Sequence, residues 1–92
     1  MIQSFKDRAT WEVFERGSNR RWNNIASVAR RKLLMINAAQ ILSDLKAPPA
    51  NRLEALHGNR EGQHGIRIND QFRICFEWRA DGPHEVEIVD YH

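Results

Sequence analysis

Phe72-Arg73-Ile74-Cys75-Phe76-Glu77-Trp78-Arg79, then Asp81-Gly82-Pro83, then His84-Glu85-Val86-Glu87-Ile88-Val89-Asp90-Tyr91-His92, is the stretch that decides the fold. In its first block the apolar Phe72, Ile74, Phe76 and Trp78 alternate with Arg73, Cys75, Glu77 and Arg79. That period of two belongs to a half-buried strand with one polar face. Asp81-Gly82-Pro83 supplies a turn, and the last block reads as a further strand running to the terminus. Just upstream, His64-Gly65-Ile66-Arg67-Ile68 alternates in the same way, and Asn69-Asp70 offers a hairpin turn. Short turns between successive strands predict an antiparallel meander.

Before the meander the period changes. Leu53-Glu54-Ala55-Leu56 leads into a glycine-rich loop, Gly58-Asn59-Arg60-Glu61-Gly62. The N-terminal half is helical in pattern. Ile2 and Phe5 mark a short opening strand or extended segment. Asp7 is a candidate N-cap, Ala9, Val13 and Phe14 recur at helical spacing, and Gly17 is a natural stop. Residues 17–24 are polar and aperiodic, so an exposed, mobile connection is expected, one that gains order when a partner binds. Asn23 or Asn24 is expected to cap a second helix, whose stripe is Ile25, Val28, Ala29, Lys32, Leu33 and Ile36, with Lys32 at its margin. Ala39, Leu42 and Leu45 predict another turn or two before Pro48-Pro49 ends the helical region. The expected fold class is α+β: two or three N-terminal helices packed on one face of a mainly antiparallel, twisted sheet, in one domain spanning 1–92. The other face, with Arg67 and Arg73, meets water or a ligand.

Composition narrows the function classes. No apolar run approaches the ~20 residues that span a membrane, and the first residues form no apolar leader. The lone Cys75 cannot make an internal disulfide, which fits a cytoplasmic location. The net charge is only +2, yet eleven of the fourteen basic residues are arginine. A guanidinium binds phosphate through two parallel hydrogen bonds, so a nucleic-acid partner is expected. His57, His64, His84 and His92 are not at the spacing of a zinc site, and no glycine loop cradles a nucleotide, so neither metal nor cofactor is expected. Cys75 lies mid-strand and reads as inert.

Cutting RNA with its own 2′-hydroxyl needs a base for the hydroxyl proton, donors for the developing phosphorane charge, and an acid for the leaving oxygen. Asp90-Tyr91-His92 places a carboxylate, a phenol and an imidazole together at the end of the chain. Arg73 and Arg67 are suited to hold the phosphate, and Tyr91 to stack on a base. Each also has a plain structural reading: a chain end for His92, a solubilising charge for Asp90, packing for Tyr91, and for Arg73 a cross-strand pair with Glu85 or Glu87. A regular last strand puts Asp90 and His92 on the side of Val86 and Ile88, and Tyr91 on that of Arg73. A bulge or twist near the terminus would be needed to unite all four.

Four short motifs, in order along the whole chain, resemble those of HigB-type toxins in the RelE superfamily. They are Met1-Ile2-Gln3-Ser4-Phe5-Lys6, Leu53-Glu54-Ala55-Leu56-His57-Gly58-Asn59-Arg60-Glu61-Gly62, Asn69-Asp70-Gln71-Phe72-Arg73-Ile74-Cys75-Phe76, and Val89-Asp90-Tyr91-His92. Arg21-Trp22 and Pro48-Pro49 are similar to the GraT-like branch of that family. The resemblance implies a RelE-like fold and a ribosome-dependent mRNA endonuclease within a type II toxin–antitoxin system. It also implies a cognate helix-turn-helix antitoxin of HigA type, through which alone operator DNA would be bound. By position, Arg73 would stabilise the scissile phosphate, Asp90 and His92 would be acid and base in either order, and Tyr91 would orient or stack the RNA. Some relatives carry histidine at the position of Glu54 and lysine at that of His57, so either residue here is open to a part in proton transfer. Arg20, Arg21, Arg30, Arg31 and Lys32, with Arg60 and Arg67, are expected to bind RNA or the ribosome. Two other functions stay open on sequence: a ParE-like poison acting on gyrase by protein contact, and a non-catalytic module that tunes antitoxin–operator binding.

Overall fold

A computed structural model describes residues 1–90; Tyr91 and His92 lie outside the described residues. Helix α1 spans Arg8–Arg16. Asp7 caps it by accepting the Thr10 N–H at 2.7 Å, and Gly17 ends it with φ 77°, a conformation that costs a residue with a Cβ. Helix α2 spans Ala26–Ala38. Two short 3₁₀ turns, Leu42–Lys46 and Pro49–Asn51, lead to the sheet. Four strands follow: β1 (Glu54–Ala55), β2 (His64–Arg67), β3 (Phe72–Arg79) and β4 (Gly82–Asp90). They pair antiparallel in the order β1-β2-β3-β4, the meander that the alternating patterns predict.

The helices cover one face of the sheet. Val13 of α1 and Ala26, Ala29, Leu33 and Ile36 of α2 pack with Ile66, Ile74, Phe76, Val86 and Ile88, all buried. Each such aliphatic side chain contributes roughly 1.5–3 kcal/mol on leaving water. Thr10 also ties helix to sheet, its buried Oγ1 accepting the Ile88 N–H at 3.0 Å. The opening segment is extended and lies along the outer edge of β4, with a parallel bridge from Phe5 to Val86 and an Lys6 N–H bond to the Val86 carbonyl at 3.0 Å. It thereby shields part of an edge that would otherwise invite strand pairing.

Three expectations need correction. The connection after Gly17 is not exposed throughout: Trp22 is only 5% accessible and packs edge-on against Phe72 at 5.6 Å. A lone indole in a polar stretch has no period, so the pattern gives no sign that it turns inward. Neither Asn23 nor Asn24 caps α2; the cap position is Ile25, without a side-chain bond. Lys32 is not marginal but buried, 8% accessible, and its Nζ donates to Asn51 Oδ1 at 2.6 Å. Asn51, fully buried, in turn donates to the carbonyls of Leu45 and Ala47 at 3.2 and 3.3 Å. The Pro49–Asn51 turn thus carries the acceptor that lets a lysine enter the core.

Candidate functional site

The face of the sheet turned away from the helices carries two cross-strand rows. Residues directly opposite one another share a face, so the register alone assembles them. Glu54 is opposite Gly65, Gly65 opposite Cys75, and Cys75 opposite Glu87: one row crosses all four strands. In the next, Arg67 is opposite Arg73 and Arg73 opposite Val89. This is the outward position that alternation assigns to Arg67 and Arg73.

The charges on this face are held in place. Arg60, from the 3₁₀ turn Gly58–Arg60, reaches back over the sheet and donates to Glu87 Oε1 at 2.8 Å and to Gln63 Oε1 at 3.1 Å. Leu56 folds over the side-chain-free Gly65, where an added Cβ would already sit 3.5 Å from its Cδ2. Together these contacts seat the loop from 57 to 63 on the outer face. Arg73 folds its guanidinium toward the β2–β3 turn and donates to the carbonyls of Asn69 at 2.7 Å and Phe72 at 3.2 Å. Arg67 is paired with Asp70 on the same turn.

Cys75 sits buried beneath this charged layer. Burial pushes its thiol up to about 11; Arg60 and Arg73 oppose that shift, while Glu87 and Glu54 reinforce it. The thiol is therefore protonated at neutral pH and is no nucleophile.

Of the other candidates, Glu54 belongs to this face at its edge and is exposed. His57 is also exposed, and its carbonyl starts the 3₁₀ turn by accepting the Arg60 N–H at 3.2 Å. Asp90 is exposed, opposite Phe72, and accepts from Gln71 Nε2 at 3.2 Å. Its register places it on the helix-side face, one residue along from the Arg73–Val89 pair. The bulge does exist, but it lies between Cys75 and Glu77, where Glu85 takes φ 54°, and pairing from Val89 to Asp90 is regular. Glu85 and Glu87 therefore do not oppose Arg73; Val89 does. Glu87 instead serves Arg60, a link invisible in the sequence because it depends on where the loop folds. Tyr91 and His92, the remaining terminal candidates, lie outside the described residues. Among the described residues no three His, Cys, Asp or Glu side chains converge as metal ligands, and no helix is long and apolar enough to cross a membrane.

The other basic candidates lie in the connection after α1 and on α2. Arg20, Arg21, Arg30 and Arg31 are exposed, with Arg21 stacked 4.8 Å from the Trp22 ring centre and Arg30 Nε donating to the Phe14 carbonyl at 3.0 Å. Lys32, expected among them, points into the core instead. The buried side of α2, with Ala26, Ala29, Leu33 and Ile36, packs into the core, and Arg30 and Arg31 lie on its exposed side.

Residues 3–92 match the family model described as the RelE-like toxin of the type II toxin–antitoxin system HigB. The chain is 40% identical over 84 residues to Toxin HigB-1 of Vibrio cholerae, covering 89% of this chain and 87% of that protein. It is 32% identical over 78 residues to an uncharacterized protein of Haemophilus influenzae, covering 83% and 77% respectively.

Proposed function

The chain belongs to the HigB-like family of RelE-like toxins, and on that premise we propose that its outer sheet face makes it a metal-independent, ribosome-dependent mRNA endoribonuclease. The toxin of a type II system has a cognate antitoxin; the finer reading is a HigA-type partner with a helix-turn-helix domain, which alone would contact operator DNA.

The observation that carries the proposal is the Arg67–Arg73 pair. Like charges directly opposite one another across a sheet destabilise it. Asp70 offsets part of that repulsion at Arg67, and the turn carbonyls fix the Arg73 fork. A phosphate between the two guanidinium groups would relieve the rest, and more so as charge builds on the phosphorane. In the proposed reaction a base takes the 2′-hydroxyl proton and the 2′-oxygen bonds to phosphorus. The bond to the 5′-oxygen breaks, and an acid returns a proton to that oxygen. The products are a 2′,3′-cyclic phosphate and a 5′-hydroxyl. Asp90 and His92 are the proposed acid–base groups and Tyr91 the base-stacking one. Glu54, on the edge strand of this face, or the exposed His57 is proposed to assist proton transfer. Arg60 would contribute to phosphate binding while its bond to Glu87 holds the loop. With few strong acid–base groups, such an enzyme gains most from an in-line geometry, worth roughly 7–11 kcal/mol when well oriented. A codon fixed by the ribosome would supply it.

The test is primer extension on a defined mRNA, with and without translating ribosomes, comparing the wild type with Arg73→Ala and His92→Gln. Cuts confined to translated message and lost in both variants are expected. Growth arrest without cuts would overturn the proposal and shift the weight to a protein-contact poison.

A further inference from the structure

The 3₁₀ turn Leu42–Lys46 and the edge strand β1 wall a cleft of about 370 Å³. Leu42, Leu53 and Ala55 give it apolar sides, and Ser43, Lys46, Glu54 and His64 give it polar ones. Ala55 is opposite His64, and His64 opposite the buried Phe76, so both belong to the helix-side face of the sheet. Glu54, one residue before Ala55, belongs to the outer face, and the cleft therefore reaches the edge where the two faces meet. His64 is the unusual member of the wall. Its Nδ1 is buried and has no hydrogen-bond partner among the described residues. A buried polar atom left in that state is destabilising, and an aliphatic residue at the same place would carry no such cost. Among the described residues no strand pairs with the other side of β1, so further backbone donors and acceptors lie beside the cleft.

We propose that this cleft takes one nucleobase of the mRNA, from a nucleotide adjacent to the scissile phosphate. Its faces would lie against Leu42 and Leu53, its edge would meet Ser43, His64 and Glu54, and its phosphate would meet Lys46. The mixture of walls sets the class of ligand, since binding clefts combine apolar sides with a few placed polar groups. A nucleobase has two apolar faces and an edge of donors and acceptors. An aliphatic side chain would leave Ser43, Glu54 and His64 without partners, and a bare anion would meet the Glu54 carboxylate and gain nothing from leucines. Position sets the source. Glu54 is opposite Gly65, and Arg67 is two residues further along β2, so one strand spacing and two residue rises separate their backbones by roughly 8 Å. That is the reach from a phosphate to the base of a neighbouring nucleotide in an unstacked strand, the form in which RNA bases are read by proteins. The inference rests on the ribonuclease reading of the outer face and adds a base-reading subsite to it.

The experiment is an NMR titration of backbone amides in the full-length toxin with AMP, CMP, GMP and UMP, and separately with inorganic phosphate. The variants are Ala55→Leu, which fills the cleft, and Lys46→Ala. Both side chains are exposed, and matching melting curves verify that the variants fold. At least one nucleotide is expected to shift the amides of residues 42–46, 53–55 and 64, which phosphate alone leaves in place. Ala55→Leu is expected to weaken that nucleotide about tenfold and Lys46→Ala about threefold. No shift at the cleft with any nucleotide, undiminished affinity in Ala55→Leu, or equal shifts with phosphate alone would each overturn the base site. Primer extension on translated mRNA tests the source: Ala55→Leu is expected to cut at an altered set of positions. An unaltered set, with nucleotide binding lost, would assign the cleft to a free nucleotide and overturn the mRNA assignment. A wild-type toxin that binds nucleotides in the cleft yet cuts no RNA would sink the ribonuclease reading and its mRNA source while the nucleobase site stands, so the two failures are distinguishable.

Discussion

Arg67 and Arg73 stand on the outer sheet face among carboxylates and backbone acceptors, whereas Arg20 and Arg31 stand on the helical face in a segment without any acidic residue. The first pair is held in register by three strands and by its own turn. Such cations are spent on position, because a fork already bonded on one side has one geometry left to offer. The helical arginines are spent on net field and contact area, and they sit beside apolar side chains that water alone does not favour. The same residue type thus serves two ends, and what surrounds the guanidinium decides which.

Several substitutions would break or sharpen this contrast. The largest effect is expected from Arg73→Ala, which should lower the cutting rate on translated mRNA by roughly 10²–10³-fold. Its melting temperature should stay level or rise slightly, because a like-charge cross-strand pair disappears. A rate loss accompanied by a matching loss of stability would make Arg73 a structural residue and erase the distinction between the faces. Next comes Asn51→Ala, which leaves the Lys32 ammonium buried without its acceptor. Chemical denaturation should show a loss of roughly 1.5–3 kcal/mol, against little change for Arg31→Ala on the exposed side of the same helix.

Glu87→Gln is expected to have a smaller effect, about 1 kcal/mol of stability, since the Arg60–Glu87 pair is only partly exposed. The sharper readout is hydrogen exchange, where amides of residues 57–63 should lose protection while those of α2 keep theirs. The smallest effects concern pH. Burial, then Arg31, then Arg67 lower the pKa of Lys32 below its usual 10.5. The unfolded chain therefore binds that proton more tightly, the cost of burying the charge is fully present below the folded pKa, and stability should rise as pH climbs toward 10.5. Lys32→Met should flatten that rise in denaturation curves taken from neutral to alkaline pH. Cys75, held near 11, should resist thiol reagents at pH 8 and react faster only as the pH approaches that value.

Much of this architecture is legible in the residues. Alternation in Phe72–Arg79 gives β3 and its two faces, Asp7 and Gly17 bracket α1, and the outward position of Arg67 and Arg73 follows from a period of two. Four short motifs also place the chain in its family, an expectation that the match over residues 3–92 bears out. These features are local: each depends on a few neighbours in the chain, and the pattern records them directly.

Contacts between distant residues are not recorded in that way. Lys32 reads as a surface cation until the Pro49–Asn51 turn brings it an acceptor, and Trp22 reads as loop until Phe72 gives it a place to pack. Glu87 reads as one more strand acid until the loop from 57 to 63 lays Arg60 across it. In each case the deciding partner lies 19 or more residues away. Sequence alone determined the strand and helix periods, and with them the side of the sheet on which the arginines lie. Only the tertiary structure decided which charges are buried, which are tethered and which stay open to a partner, because desolvation and pairing depend on what packs against a group in space.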